Sequence, residues 1–165
     1  MPDSGEVVFD GRGITGLDEA ARARLRAKRI GIVLQSGNLI PFLTAVENVE
    51  LAIKLADGDQ AAARARELLS ELGLSRRFDH LPRRMSGGEA QRVSVAMALA
   101  NEPDLLLADE VTGELDSVSA EQVLGVILEA CGERDLTVLF VTHSRDLAAR
   151  AQRRLLLEDG EVRGV

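Results

Sequence analysis

Three short strings in this sequence carry residue types and spacings suited to work on a phosphate. Met85-Ser86-Gly87-Gly88-Glu89-Ala90-Gln91-Arg92 puts two glycines behind a capping serine, so that bare backbone N–H groups and a helix N-terminus can face an anion. An ordinary capped helix accounts for Ser86 and Glu89, but not for glycines in the first turn, where each costs about 1 kcal/mol relative to alanine. In the second string, Leu105 to Ala108 runs into Asp109 and Glu110, two carboxylates at the C-terminal end of a strand, where parallel sheets bind ligands. In a phosphoryl-transfer site Asp109 would act on a Mg2+ shell and Glu110 would polarise the attacking water. Alone, the pair reads equally well as a strand ending in solvated acids. The third string, Thr142-His143-Ser144 after Val138 to Val141, sets an imidazole at the same edge, where His143 could meet a γ-phosphate or simply finish a strand.

These strings need a scaffold, and the hydrophobic pattern supplies one. Glu6 to Phe9 reads as a short strand and Leu17 to Lys28 as a helix with a charged wet face. Ile30 to Leu34 is a continuous apolar run, as expected of a strand covered on both faces, and it ends at Gln35. From Thr44 the character turns helical: Thr44 with Glu47 matches a capping box, and Gln60 to Leu72 has helical spacing. Ser86 with Glu89 repeats the box and opens a helix through Ala100, with Val93, Ala96, Met97 and Ala100 on one core-facing stripe. Two more buried-strand runs, Leu105–Ala108 and Val138–Val141, flank a helix whose Leu124, Ile127, Leu128 and Cys131 share a face. The alternation predicts an α/β fold with a mostly parallel sheet. Leu155 to Leu157, Asp159-Gly160 and Glu161-Val162 read as a closing hairpin.

Bulk properties narrow the partners. The 165 residues suit one domain, with 43–101 as a helical subdomain inside it. With no Trp or Tyr, four Phe and a net charge of -7, base stacking and broad attraction to nucleic acid or an anionic membrane are not expected. The single Cys131 excludes an internal disulfide and reads as an inert core thiol, which favours a reducing cytoplasm. No apolar run approaches the roughly 20 residues needed to cross a bilayer, so any membrane connection is expected to be indirect.

In order and spacing, these elements resemble the ABC ATPase family over essentially the whole chain. Gln35 after its strand resembles the Q-loop, Ser86-Gly87-Gly88-Glu89 the family signature, and Leu105 to Glu110 the Walker B strand with its catalytic glutamate. Gly113-Glu114-Leu115-Asp116 resembles the D-loop and His143 the switch histidine. The wording of Leu39 to Val49 and of Ala108 to Ser117 is similar to the lipoprotein-release and macrolide-export branch. The resemblance implies a P-loop NTPase-like core that binds ATP and Mg2+ and hydrolyses ATP. It assigns catalysis to Glu110 and His143, nucleotide contacts to Gln35, Ser86, Gly87, Gly88, Glu89 and Asp116, and the metal to Asp109 and Gln35. It further implies a dimer of like or unlike chains sandwiching two ATP molecules, and transmembrane permease subunits met by the segment after Gln35. The chain would then sit in the cytoplasm against the inner face of the membrane.

The sequence also departs from that pattern. Family members carry a P-loop, Gly-x4-Gly-Lys-Ser/Thr, ahead of the region resembled here, and none occurs in these residues; Lys28 and Lys54 follow Ala27 and Ile53 rather than glycine. Pro2 to Asp10 resembles the stretch just downstream of the P-loop helix. Gly11-Arg12-Gly13-Ile14-Thr15-Gly16 fits a dinucleotide fingerprint, but the next strand ends in Gln35 rather than an acid, so a surface turn is the expectation. Val111 stands where the family usually has proline, which would free the backbone beside Glu110, and Met97 where it usually has arginine. Two expectations follow: a transporter ATPase whose upstream part is truncated or lost to a misplaced start, or a degenerate, regulatory half-site that lends its signature to a complete partner. A DNA-repair or chromosome-organising ATPase is disfavoured, because only about 50 residues separate Gln35 from Ser86, with no cysteines or sustained heptads among them. The transported substrate and the direction of transport are not encoded here.

Overall fold

The computed structural model describes residues 2–35, 38–113, 115–134 and 136–164, so Glu114 of the string 113–116 lies outside the described residues. The chain opens with a small hairpin, β1 (Val8–Phe9) against β2 (Arg12–Gly13). Its turn is the left-handed pair Asp10 (φ 49°) and Gly11 (φ 70°), the geometry a two-residue hairpin requires. The glycine string 11–16 is therefore a surface turn, as expected. The strand expected from Glu6 shrinks because the Val7 N–H donates to the Thr15 hydroxyl (2.7 Å) rather than to a strand. Asp18 caps α1 (Glu19–Arg29), accepting from the Ala21 N–H at 2.7 Å, which moves the helix start two residues past Leu17.

Three parallel strands follow, β3 (Ile30–Val33), β4 (Leu105–Asp109) and β5 (Thr137–Val141), adjacent in that order. The expected parallel sheet is present, but its strands are not covered on both faces. Val33, Leu106 and Ala108 are buried on one face, whereas Ile32, Leu34, Leu139 and Val141 are 41–57% exposed on the other. Between β3 and β4 the regular elements among the described residues are α2 (Ala45–Leu55), α3 (Ala61–Glu71), a 3-10 turn (Pro82–Arg84) and α4 (Gly87–Leu99).

Both predicted capping boxes form, Thr44 with Glu47 on α2 and Ser86 with Glu89 on α4. Helix α4 is the hub. Val93, Ala96 and Ala100 are buried and Met97 packs on the core, as its stripe predicts, and Val95, Ala98 and Leu99 are buried as well. The buried residues form one cluster running from α2 and α3 through α4 to β3, β4 and α5 (Ser117–Arg134). On α5 the stripe is rotated from the one expected: Val123, Leu124, Ile127 and Ala130 are buried, while Leu128 faces outward. Cys131 is half-buried, and burial pushes its thiol pKa up, in keeping with an inert thiol. A short α6 (Arg145–Ala149) and the expected hairpin, β6 (Leu155–Glu158) with β7 (Glu161–Gly164), close the chain.

The one-sided sheet sets two expectations. Leu106→Ala, on the covered face, should cost about 2–5 kcal/mol, whereas Leu139→Ala, on the open face, should cost about 1 kcal/mol or less, as urea melts would show. The 165 residues on their own should melt no higher than about 60 °C by calorimetry.

Candidate functional site

Strand register decides which residues share the C-terminal edge of the sheet. Val33 pairs with Ala108, and Asp109 with Val141, so Gln35, the Asp109-Glu110 pair and Thr142-His143 leave the sheet at one level. Alternation along β4 sets Asp109 on the open face with Leu105 and Leu107, and its carboxylate is exposed. Glu110 breaks that alternation. Its backbone is left-handed (φ 49°), a conformation that costs a non-glycine residue of order 1–3 kcal/mol. It is held by its own N–H donating to the Val141 carbonyl (2.9 Å) and by the Gly113 N–H donating to its carbonyl (3.1 Å). Val111 is sealed in the core, so the backbone beside Glu110 is fixed there and not freed.

This turn aims the two acids differently. Glu110 Oε1 accepts the His143 backbone N–H at 2.8 Å, with the imidazole Nε2 at 3.8 Å. The imidazole is fully exposed, whereas the Glu110 side chain is only 19% exposed. Ser144 then caps α6 through the Leu147 N–H. The structure thus brings Glu110 and His143 into contact, with Asp109 beside them on the other face.

The tip of α4 is built by reciprocal capping. Ser86 Oγ accepts the Glu89 N–H (3.2 Å), and Glu89 Oε2 accepts the Ser86 N–H (2.9 Å). Glu89 Oε1 accepts Arg77 Nε at 2.7 Å; that bond, followed by the Ser86 one, holds the carboxyl below its ordinary pKa. Ser86 and Gly87 are exposed, with no atom within 4 Å of where a Gly87 Cβ would stand. At Gly88 a Cβ would lie 3.2 Å from Ser119 Oγ and 3.4 Å from its Cβ. One glycine thus leaves the tip bare, and the other lets α4 meet the start of α5.

Asp116 organises that meeting. Its carboxylate accepts the Val118 and Ser119 N–H groups (both 3.0 Å) and the Ser119 hydroxyl (2.7 Å), and these bonds lower its pKa. In this chain its side chain caps α5. Arg92 on α4 donates to Ser119 Oγ and to Gln122 Oε1 (both 3.3 Å), tying the two helices together.

A cleft of about 260 Å³ brings Gln35, Gly87 and Glu110 together, with Asn38 and Gln91 also on its walls, whereas Ser86, Asp109 and His143 do not line it. Gln91 is buried in α4 and its Nε2 donates to the Leu34 carbonyl (3.3 Å), fixing the chain just before Gln35. Asn48, fully buried, braces the loop beyond. Its Oδ1 accepts the Ile40 N–H (2.7 Å), and its Nδ2 donates to the Leu43 and Thr44 carbonyls (3.0 and 2.9 Å). The hydrogen bonds made by Gln91, Asn48 and Arg77 are not among the features read from the sequence. A buried-spaced amide inside an apolar helical stripe was the available signal for the first two, while Arg77 had none.

No group of three or more His, Cys, Asp or Glu among the described residues could hold a metal ion. A pre-built cage is therefore not what Mg2+ would meet. The exposed Asp109 carboxylate and the Gln35 side-chain amide at one edge instead offer hard oxygen donors of the number that suits a hydrated Mg2+ carried on substrate phosphates.

Comparison with known proteins identifies relatives over most of the chain. The sequence profile of the family described as ABC transporter matches residues 1–113. The lipoprotein-releasing system ATP-binding protein LolD 2 of Caulobacter vibrioides is 44% identical over 163 residues, covering 98% of this chain and 72% of that protein. The uncharacterized ABC transporter ATP-binding protein YbbA of Escherichia coli is 46% identical over 161 residues, covering 96% of this chain and 71% of the relative. Among solved structures, the dimeric ATP-binding cassette MJ0796 bound to ADP and Pi superposes with a TM-score of 0.88 at 38% identity, covering 99% of this chain and 74% of that one.

The two glycines should respond differently to substitution. Gly87→Ala should stabilise the nucleotide-free chain by up to about 1 kcal/mol, through helix propensity alone, and Gly88→Ala by less, because Ser119 must yield. Thermal melts of the two variants check this. Because the Glu89 pKa is depressed in the folded chain, its contribution is present at neutral pH and is lost as pH falls below about 4.3 and through the folded value. Protection of the Ser86 and Glu89 amides, measured as exchange relative to the intrinsic rate at each pH, should fall over that window.

Proposed function

The chain belongs to the ABC transporter family as an ATP-binding subunit, and on that premise we propose that it works on ATP with two separate surfaces. The tip Ser86-Gly87-Gly88-Glu89 is offered to the γ-phosphate of a nucleotide held by a second ATP-binding domain. The edge formed by Gln35, Asp109, Glu110 and His143 serves a nucleotide on its own side, and Asp116 sets the α5 end of the dimer contact. The dimeric MJ0796 cassette with ADP and Pi supports a paired arrangement.

The observation that carries the reading is the Glu110–His143 contact. One Glu110 oxygen is pinned by the His143 N–H, and the other has no hydrogen bond among the described residues. A carboxylate held this way can take the proton of a water as its oxygen bonds to the γ-phosphorus and the bond to the bridging oxygen breaks, leaving ADP and phosphate. His143, exposed beside it, reaches the γ-phosphate oxygens. Mg2+, held by Asp109 and Gln35, would supply neutralising charge for the phosphates.

No helix among the described residues is long and apolar enough to cross a membrane. In this reading, membrane attachment runs through partner permease subunits on the cytoplasmic side. The helical segment 43–101 is the subdomain that faces them. The 165 residues span 72% of LolD 2 and 71% of YbbA and contain no Gly-x4-Gly-Lys-Ser/Thr, the loop that grips the β- and γ-phosphates.

The 165 residues alone should therefore show no measurable ATPase. Mixed with a complete ABC ATP-binding domain they should support turnover that Gly87→Asp abolishes. In a form of the protein that includes a phosphate-gripping loop, Glu110→Gln should lower kcat by about 10²–10⁴-fold. Saturable hydrolysis by the 165 residues alone, lost on Glu110→Gln, would overturn that expectation.

A further inference from the structure

The two capping boxes of this chain are alike in sequence and geometry but differ in one respect. Glu47 on α2 is held by Thr44 alone, whereas Glu89 on α4 is also gripped by Arg77, twelve residues upstream. The helix start that reads as nucleotide-facing is the one with the extra clamp. An ion pair this exposed, with Arg77 at 39%, adds little to stability, so its value lies in orientation. Arg77 also lies on a short segment that meets the other helix start. The Phe78 and His80 carbonyls accept the Val46 and Ala45 N–H groups (3.0 and 2.9 Å), two donors in the first turn of α2 that the helix itself leaves unpaired. Asn48 in that helix holds the loop 40–44. A continuous series of hydrogen bonds thus runs from loop 40–44 through α2 and segment 77–80 to Arg77, Glu89 and Ser86.

We propose that Arg77 is a positioning residue that sets the direction of the Ser86-Gly87 tip and ties it to the start of α2. The inference rests on the reading of that tip as the group offered to a nucleotide. Arg77 acts through the Glu89 carboxylate, whose second oxygen holds the Ser86 N–H.

The test has a nucleotide-free arm and a turnover arm. In the full chain without nucleotide, Arg77→Ala should speed amide exchange at Ser86 and Glu89 by about tenfold or more and raise the Glu89 carboxyl titration midpoint seen by NMR. Exchange at Glu47, in the unclamped box, should stay as it was, and Arg77→Lys should restore part of the protection. If Arg77→Ala fails to fold, Arg77→Gln, which keeps an N–H donor without the charge, is measured in its place. Mixed with a complete ABC ATP-binding domain, Arg77→Ala should lower kcat about tenfold while the melting temperature moves by only a few degrees. Unchanged exchange at Ser86 and Glu89, in a chain where Glu89→Gln does speed it, would overturn the inference. So would equal acceleration at Glu47, which marks general loosening. Altered exchange together with absent turnover in the wild-type mixture would leave Arg77 in this role and count against the nucleotide reading of the tip.

Discussion

The register of three parallel strands is the constraint on which the rest of this structure depends. Ile32, Leu107 and Leu139 form one row across the sheet, and Val33, Ala108 and Phe140 the next, on the opposite face. A slip of one residue would turn Val33 or Leu106 out of the core and carry the strand end by about 3.3 Å. Glu110 and His143 leave adjacent strands, so their 2.8 Å contact survives only in this register. The apolar side chains that bury one face are therefore also what levels the chemical edge, and the strained backbone at Glu110 is tolerable because ladder and core hold it from both sides.

Helix α4 carries that order to the second surface. Buried along most of its length, it cannot rotate without disturbing α2, α3 and the sheet, and its side chains reach in three directions. Gln91 fixes the Leu34 carbonyl, Arg92 meets Ser119 and Gln122, and Glu89 takes Arg77. Against this rigidity the first turn breaks local rules with two glycines. Gly88 has a packing reason, its contact with Ser119, whereas a Cβ at Gly87 would meet nothing within 4 Å among the described residues, so packing does not call for glycine there.

Features decided within one turn or one strand were legible in the sequence. Ser86 with Glu89 and Thr44 with Glu47 are three-residue spacings whose geometry is local, and both boxes form. The parallel sheet, the closing hairpin and the helical segment between β3 and β4 follow from hydrophobic period and turn residues. Features settled by distant packing were not legible. Leu128 fits the apolar stripe of α5 as well as Val123 does, and only the neighbours that α5 meets choose Val123. The Arg77–Glu89 bond spans two turns of irregular backbone, and the left-handed Glu110 arises from the Val141 carbonyl on another strand. The edge residues could thus be named from the sequence, but the side chains that aim them could not.

The uncovered sheet face bears on the site as much as on stability. Parallel strands with near-continuous apolar sequence normally pack on both faces, yet here Ile32, Leu139 and Val141 stand open on the side to which alternation assigns Asp109. Any surface that covers this face, from whatever source, lies over the strand ends that present the carboxylate. Covering the face would remove water from around the Asp109 carboxylate, where charges interact more strongly once solvent is excluded.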